Sequence, residues 1–266
     1  MKRIAIVAAL RREVKPLVEN RNWKTIKWKR GSREFAIMEN DRALMVCGGM
    51  GRGPAGEAAE ALHEFSGGAI SLMVSAGLAG ALVEDLRVGD IFCPATIYGT
   101  PSQAGPGSLA AAAGRGGLVS APEVAGEAGK KELHKAYGAE AVDMEAFSVA
   151  QVAQAHSYPF VAVKAISDKL DFAMPEMRRF IDDQGEFRKG KFAMHAALRP
   201  GMWRGIARLN KNSMRAVTSL CKVLNELIED DAAHHLELIS ALPGMAPAPA
   251  MDAQETSLYP DGKQAR

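Results

Sequence analysis

Carboxylates at the ends of predicted strands are the residues of this 266-residue chain best placed to do chemistry. Glu145 follows the apolar pair Val142 and Met144, which reads as the end of a short strand. Asp168 closes the apolar run FVAVKAIS, which reads as a buried strand. The intervening AFSVAQVAQAHS has the composition of a helix. The unit is strand–helix–strand with an acid at the carboxyl end of each strand, the edge where open α/β sheets take ligands. Burying an ionised carboxylate without a partner is costly. Each acid is therefore either a proton-transfer or ligand-binding group, or a structural residue: a helix cap at Glu145, a strand end at Asp168. The spacing leaves both readings open. Glu13 poses the same question, because it follows the apolar run IAIVAA of Ile4 to Ala9. Its structural alternative is a solvated helix start, where an acid suits the helix dipole, and the residues by themselves favour it.

The elements that must position these acids follow a strand and helix pattern. Residues 21–33 are basic with Trp23 and Trp28 interleaved, and fit an edge strand or hairpin whose lysines face solvent. REFAIMEN and RALMVCGG form a second hairpin about Asn40-Asp41. Glycines 48, 49, 51 and 53 then lead into a helix with Pro54 in its first turn. Amides at such a start can hold an anion or a sugar oxygen, or the glycines simply make a tight turn. The spacing matches neither a phosphate-binding loop nor a dinucleotide fingerprint. AISLMVSAGLAGAL is strand-like, with Gly77 and Gly80 allowing close approach of a ligand to the backbone. VGDIFCPATIYG reads as one strand, residues 101–117 as a loop or flap, GLVSAP as a short strand and EVAGEAGKKELHKAYG as a surface helix. From Trp203 an amphipathic helix is expected, carrying Ile206, Met214, Val217, Leu220, Leu224 and Leu227 on one face. The expected division is one domain over 1–242 and a disordered tail over 243–266, where large apolar groups are few.

Composition narrows the function classes. A net charge of +2 with scattered basic residues argues against a nucleic-acid partner. Cys47, Cys93 and Cys221 are far apart, without metal-ligand spacing or a disulfide framework. The six histidines are dispersed, and no metal or cofactor is expected. No apolar run reaches bilayer length, and the N-terminus lacks a signal-peptide pattern, so a cytoplasmic location is the expectation.

Five motifs in order carry a resemblance. EV at Glu13-Val14, SAGLAGAL from Ser75, VGDI from Val88, VDMEAF from Val142 and AISD ending at Asp168 are similar to those of the nucleoside phosphorylase and methylthioadenosine/S-adenosylhomocysteine nucleosidase superfamily. The likeness spans about Met1 to Asp168 and weakens into the C-terminal helix. It implies a single three-layer α/β domain whose central mixed, partly barrel-like sheet is flanked by helices, and a homo-oligomer. By resemblance, Asp168 is the acid at N7 of a purine, oriented by Ser167. Glu145 holds the ribose hydroxyls, Met144 packs on the sugar, and Gly77 and Gly80 lie along the nucleoside. Glu13 is the base that activates water. This chemistry suits the residue types: a neutral acid protonates the leaving base, carboxylates favour an oxocarbenium-like sugar, and a base deprotonates water.

Two positions depart from the nucleosidase pattern: Leu78 stands where a serine is usual, and Lys164 where an arginine is usual. PEMRRFID and the long basic helix are similar to the hopanoid-associated phosphorylase branch, which acts on a lipid-linked adenosine. The expected reaction is hydrolysis of a 5′-substituted adenosine. The alternatives are phosphorolysis, with Arg11, Arg12 or Arg52 binding phosphate, and nucleoside binding without turnover.

Overall fold

The computed structural model describes residues 2–19, 22–101, 107–172, 203–230 and 234–242. The apolar run at the N-terminus forms β1 (Arg3–Ala8), followed by α1 (Arg11–Glu19). The basic segment forms edge strand β2 (Lys24–Arg30), joined through Gly31 to β3 (Arg33–Glu39). Its Trp28 packs edge-on against Phe65, with ring centroids 5.4 Å apart. Asn40 Oδ1 accepts from the amides of Arg42 and Ala43, closing the turn into β4 (Ala43–Cys47). α2 (Arg52–Ser66) and the twelve-residue β5 (Ile70–Ala81) complete the first half.

The second half differs from the expectation in three places. VGDIFCPATIYG is two strands, β6 (Ile91–Phe92) and β7 (Thr96–Gly99), and Pro94 interrupts them because it has no amide to give a ladder. Part of the expected loop is a strand, β8 (Gly107–Ala110), antiparallel to β7; residues 102–106 lie outside the described ones. α3 (Glu127–Tyr137), expected on the surface, buries Lys130. It follows β9 (Gly117–Ser120). Then come β10 (Ala141–Asp143), α4 (Ala146–Ala155) and the wholly buried β11 (Phe160–Asp168). The long amphipathic helix is α5 (Trp203–Glu229), and α6 (His235–Ser240) follows. The PEMRRFID segment and the 243–266 tail lie outside the described residues.

The strands make one mixed sheet in the order β2-β3-β4-β1-β5-β10-β9-β7-β8, with β11 on β5 and β6 on β11. Helices cover both faces, so the domain has three layers. Ala58 and Leu62 of α2 pack with Val149 and Ala153 of α4 on one face. Val14 and Leu17 of α1 pack with Leu220 and Leu224 of α5 on the other.

The strand β5 organises the site through its ladder. β1 pairs parallel with it as far as Ala8↔Ala76, and β10 pairs antiparallel with it at Val142↔Gly80. β11 pairs along Met73 to Gly80, overlapping both, so it takes one edge of β5 while β1 and β10 share the other. β1 and β10 therefore run toward each other and stop short, leaving Gly77 to Ala79 without a strand partner on that edge. Their carboxyl ends face each other across this gap.

Glycines also set the position of α4. Gly99 and Gly107 are opposite each other in the β7–β8 ladder, and both lie under the Phe147 ring. A Cβ on Gly99 would fall 2.6 Å from Phe147 Cε1. Gly99→Ala is expected to destabilise the fold by about 1–3 kcal/mol, the usual cost of overpacking. Phe147→Leu in the same chain should recover part of it, as read by the midpoint of urea unfolding.

Candidate active site

The gap in the sheet gathers charged groups. Glu13, in the first turn of α1 beyond β1, is buried at 6% exposure. Its Oε2 accepts from the Leu10 amide at 3.2 Å, while its own amide donates to Leu10 O at 2.9 Å. This is the reach-back half of a capping box, so the start of α1 that the sequence alone reads as solvated is turned inward. Burial pushes the Glu13 carboxyl above its usual range, against the opposing pull of the Leu10 amide, Arg12 and Lys164.

Glu145, just beyond β10, reaches the gap from the other side. Its Oε1 accepts from the Gly51 amide at 2.8 Å, at the N-terminal end of α2, and its Oε2 from the Met144 amide at 3.2 Å. Burial raises its pKa from 4.5 to about 7, helped by Asp143 and Glu13 and opposed by Lys164 and the Gly51 amide. Met144 is half-buried beside it.

Lys164 and Asp143 form the floor. Lys164 Nζ pairs with Asp143 Oδ2 at 2.8 Å and donates to Ser75 Oγ at 3.0 Å. Asp143 also accepts from Ser120 Oγ at 2.5 Å and from the Ala146 amide at 2.8 Å, so it caps α4. The two side chains are 1% and 0% exposed. Gly77 lies directly beneath the cluster: a Cβ there would be 3.5 Å from Glu13 Oε2 and 3.7 Å from Lys164 Nζ. The Asp143 partnership went unread in the sequence. Its signal was a lysine inside the apolar run FVAVKAIS and an aspartate inside a strand, opposite charges that bury only as partners.

A second cluster stands further along β5. Ser167 Oγ lies 2.7 Å from Asp168 Oδ1 and 3.3 Å from Ala79 O. Asp168 Oδ2 accepts from the Lys130 ammonium of α3, which also donates to Lys169 O at 2.6 Å. The two side chains of that ion pair are 1% and 4% exposed. A Cβ on Gly80 would fall 2.9 Å from Asp168 Oδ2. Gly77 and Gly80 are three residues apart, so they face opposite sides of the strand, roughly 10 Å apart along it. The structure thus groups Glu13, Glu145, Met144 and Gly77 at the gap, and Asp168, Ser167 and Gly80 past it. Lys130 was also missed: Leu133 and Tyr137, three and seven residues on, pack inward, and that spacing put Lys130 on the inner face.

Arg52 opens α2, donates to Thr100 O at 3.2 Å and lies over the Phe147 ring, 5.0 Å from its centroid. Arg11 and Arg12 are exposed. Among the described residues, no three His, Cys, Asp or Glu side chains group to hold a metal ion. No helix among them is long and apolar enough to cross a membrane.

A sequence model of the phosphorylase superfamily matches residues 3–113 and 112–199, most of the chain. The chain belongs to the phosphorylase superfamily. Solved structures share the fold. The 5′-methylthioadenosine/S-adenosylhomocysteine nucleosidase of Neisseria meningitidis, in complex with methylthio-immucillin-A, superposes with a TM-score of 0.62 at 20% identity, over 85% of this chain and 98% of that one. The Helicobacter pylori nucleosidase with butyl-thio-DADMe-Immucillin-A gives 0.60 at 18%, over 85% and 99%. The futalosine hydrolase of H. pylori strain 26695 gives 0.60 at 18%, over 85% and 98%. No curated protein matches the chain.

In this superfamily member the raised Glu145 carboxyl links stability to pH. The native state keeps a proton that the unfolded chain releases above 4.5. Stability therefore falls as pH rises between 4.5 and about 7, and this contribution levels off above that window. Urea midpoints measured across that window should fall less in Glu145→Gln than in the wild type.

Proposed function

We propose that the protein hydrolyses the N-glycosidic bond of a purine nucleoside, most specifically a 5′-substituted adenosine. The observation that carries water as acceptor is the Glu145 carboxylate on the Gly51 amide. A phosphate would seek that helix terminus, where amides and the dipole favour an anion. An acid of this protein takes the amide instead, and buried Glu13 adds a second carboxyl group across the gap. Arg52, the candidate phosphate ligand, is directed to Thr100 O and the Phe147 ring.

In this reading the sugar lies over Gly77, with Glu145 accepting from its hydroxyls and Met144 against its apolar side. The gap between β1 and β10 lets the nucleoside pass the edge of β5, so that its base reaches Gly80, Ser167 and Asp168. The C1′–N bond breaks with its electron pair going to the base. Glu13 takes a proton from the attacking water as the bond to C1′ forms. The carboxyl oxygens of Glu13, Glu145 and Asp143 outnumber the Lys164 ammonium at the gap, an arrangement that favours a cationic sugar. The 5′-substituted adenosine is supported by the two methylthioadenosine/S-adenosylhomocysteine nucleosidases of the same fold bound to butyl-thio-DADMe-Immucillin-A and methylthio-immucillin-A.

The test is base release in phosphate-free buffer from methylthioadenosine, S-adenosylhomocysteine, futalosine, adenosine and inosine, repeated with phosphate. Free sugar and adenine from the thio-substituted adenosines are expected without phosphate. Release that requires phosphate, with a sugar 1-phosphate product, would make the enzyme a phosphorylase. Tight binding without product would make it a nucleoside-binding protein. Glu13→Gln should lower kcat by about 100-fold or more, the usual worth of a positioned base. Asp168→Asn should lose most turnover while its circular dichroism and melting curve show a folded protein.

A further inference from the structure

The Asp168 carboxylate is surrounded by donors, and this limits how it can act as an acid. Ser167 Oγ stands against its Oδ1 and Lys130 Nζ against its Oδ2. A carboxylate that accepts at both oxygens carries no proton of its own to give. The protons set against it belong to a hydroxyl and an ammonium, and the ammonium is far the stronger acid. Lys130 is also held for this contact. It comes from the inner face of α3, is 1% exposed, and spends a second proton on Lys169 O. Gly80 has no side chain, and a Cβ there would fall 3.2 Å from Lys130 Cε and 2.9 Å from Asp168 Oδ2, so the strand leaves room for the pair.

We infer that Lys130 is the proton reservoir of the leaving-group step, a positioning residue that acts through Asp168. This rests on the proposed hydrolysis of a purine nucleoside. As the C1′–N bond breaks and the base gains its electron pair, the Lys130 ammonium gives a proton to the Asp168 carboxylate, and the carboxyl so formed passes it to the base. Lys130 is left a neutral amine and Asp168 a carboxylate again. Water adds to C1′ and loses a proton to Glu13. After the products leave, the amine takes one proton back from solvent and Glu13 returns one, so the cycle balances. The acid is then a lysine–aspartate pair, charged at rest, instead of a neutral aspartic acid. Such a pair keeps the base end of the site electrically neutral before the substrate arrives.

Two leaving groups test this. A purine needs a proton to depart, whereas 4-nitrophenolate leaves as a stable anion. Rates are measured for the best purine nucleoside of the substrate panel and for 4-nitrophenyl β-D-ribofuranoside, with the wild type, Lys130→Gln and Lys130→Arg. Arginine keeps the charge and the ion pair but does not release a proton. Both rates come from one preparation, so any loss of folded protein cancels in their ratio. The purine to nitrophenyl ratio should fall about 100-fold or more in both variants, the scale of a positioned acid. A wild-type ratio in Lys130→Gln shows Lys130 to be structural and overturns the inference. A wild-type ratio in Lys130→Arg also overturns it, leaving Lys130 as a charge that orients Asp168 without supplying protons. A wild-type protein that releases no purine base at all fails the proposed function itself, an outcome read before any variant is made.

Discussion

One buried ammonium, that of Lys164, stands among the acids at the gap. Lys164 Nζ pairs with Asp143 and works against the burial that raises the carboxyls of both Glu13 and Glu145. Replacing a buried ion pair by apolar residues is often tolerated, but removing one partner strands the other charge in a medium that cannot solvate it. Without Lys164, Asp143 would lose its counter-charge while still needed to cap α4 and to accept from Ser120. The position of α4 would then be at stake, and with it Phe147, which covers Gly99 and Gly107. The stability of this half of the domain and the charge state of the candidate site therefore depend on the same contact. The compromise is visible at Glu145, whose pKa near 7 leaves it on the boundary between acid and carboxylate.

The topology explains why acids distant in sequence meet. Parallel β1 and antiparallel β10 approach along one edge of β5, and each stops before Gly77 to Ala79. A carboxyl strand end is the usual ligand edge of an α/β sheet. Here two such ends oppose each other over one strand, so a site forms within the sheet's span as well as at its rim. Small residues are required where they do so, because the acids close down on the backbone of β5. The first turn of α1 then supplies Glu13, and the residue that precedes α4 supplies Glu145, from opposite sides.

How much of this the sequence disclosed depends on the range of the interaction. Continuous apolar runs identified β1, β5 and β11, because a strand buried on both faces needs no alternation. The Asn40 turn and the Gly138 end of α3 were legible from local turn chemistry, and Gly138 does take the left-handed conformation. The split of β6 from β7 was within reach, since Pro94 was in plain view. β8 was not: a Gly/Ala/Ser strand has little propensity of its own and exists by pairing with β7. Glu13 shows the limit at the site, for its local setting favoured a solvated helix start and only the tertiary fold buries it. Lys164–Asp143 and Lys130–Asp168 are long-range pairs. Each lysine could be seen to sit at an inward position, but no local rule named its partner.

The two buried pairs divide the candidate site by sign and by purpose. At Lys164 one buried ammonium faces three carboxyl groups, which in the proposed reaction stand against a sugar that becomes positive. At Lys130 one cation faces one carboxylate, a neutral pair that in the proposed reaction meets a base that becomes negative and then neutral. Breaking a glycosidic bond separates charge in that same direction, from base to sugar. A fold that held both pairs on one face would let each ammonium neutralise the other's carboxylates. Gly77 and Gly80, three residues apart on β5, face opposite sides of the strand, so the two lysine pairs stand on different faces, and the proposed reaction requires one ligand to reach both past the gap.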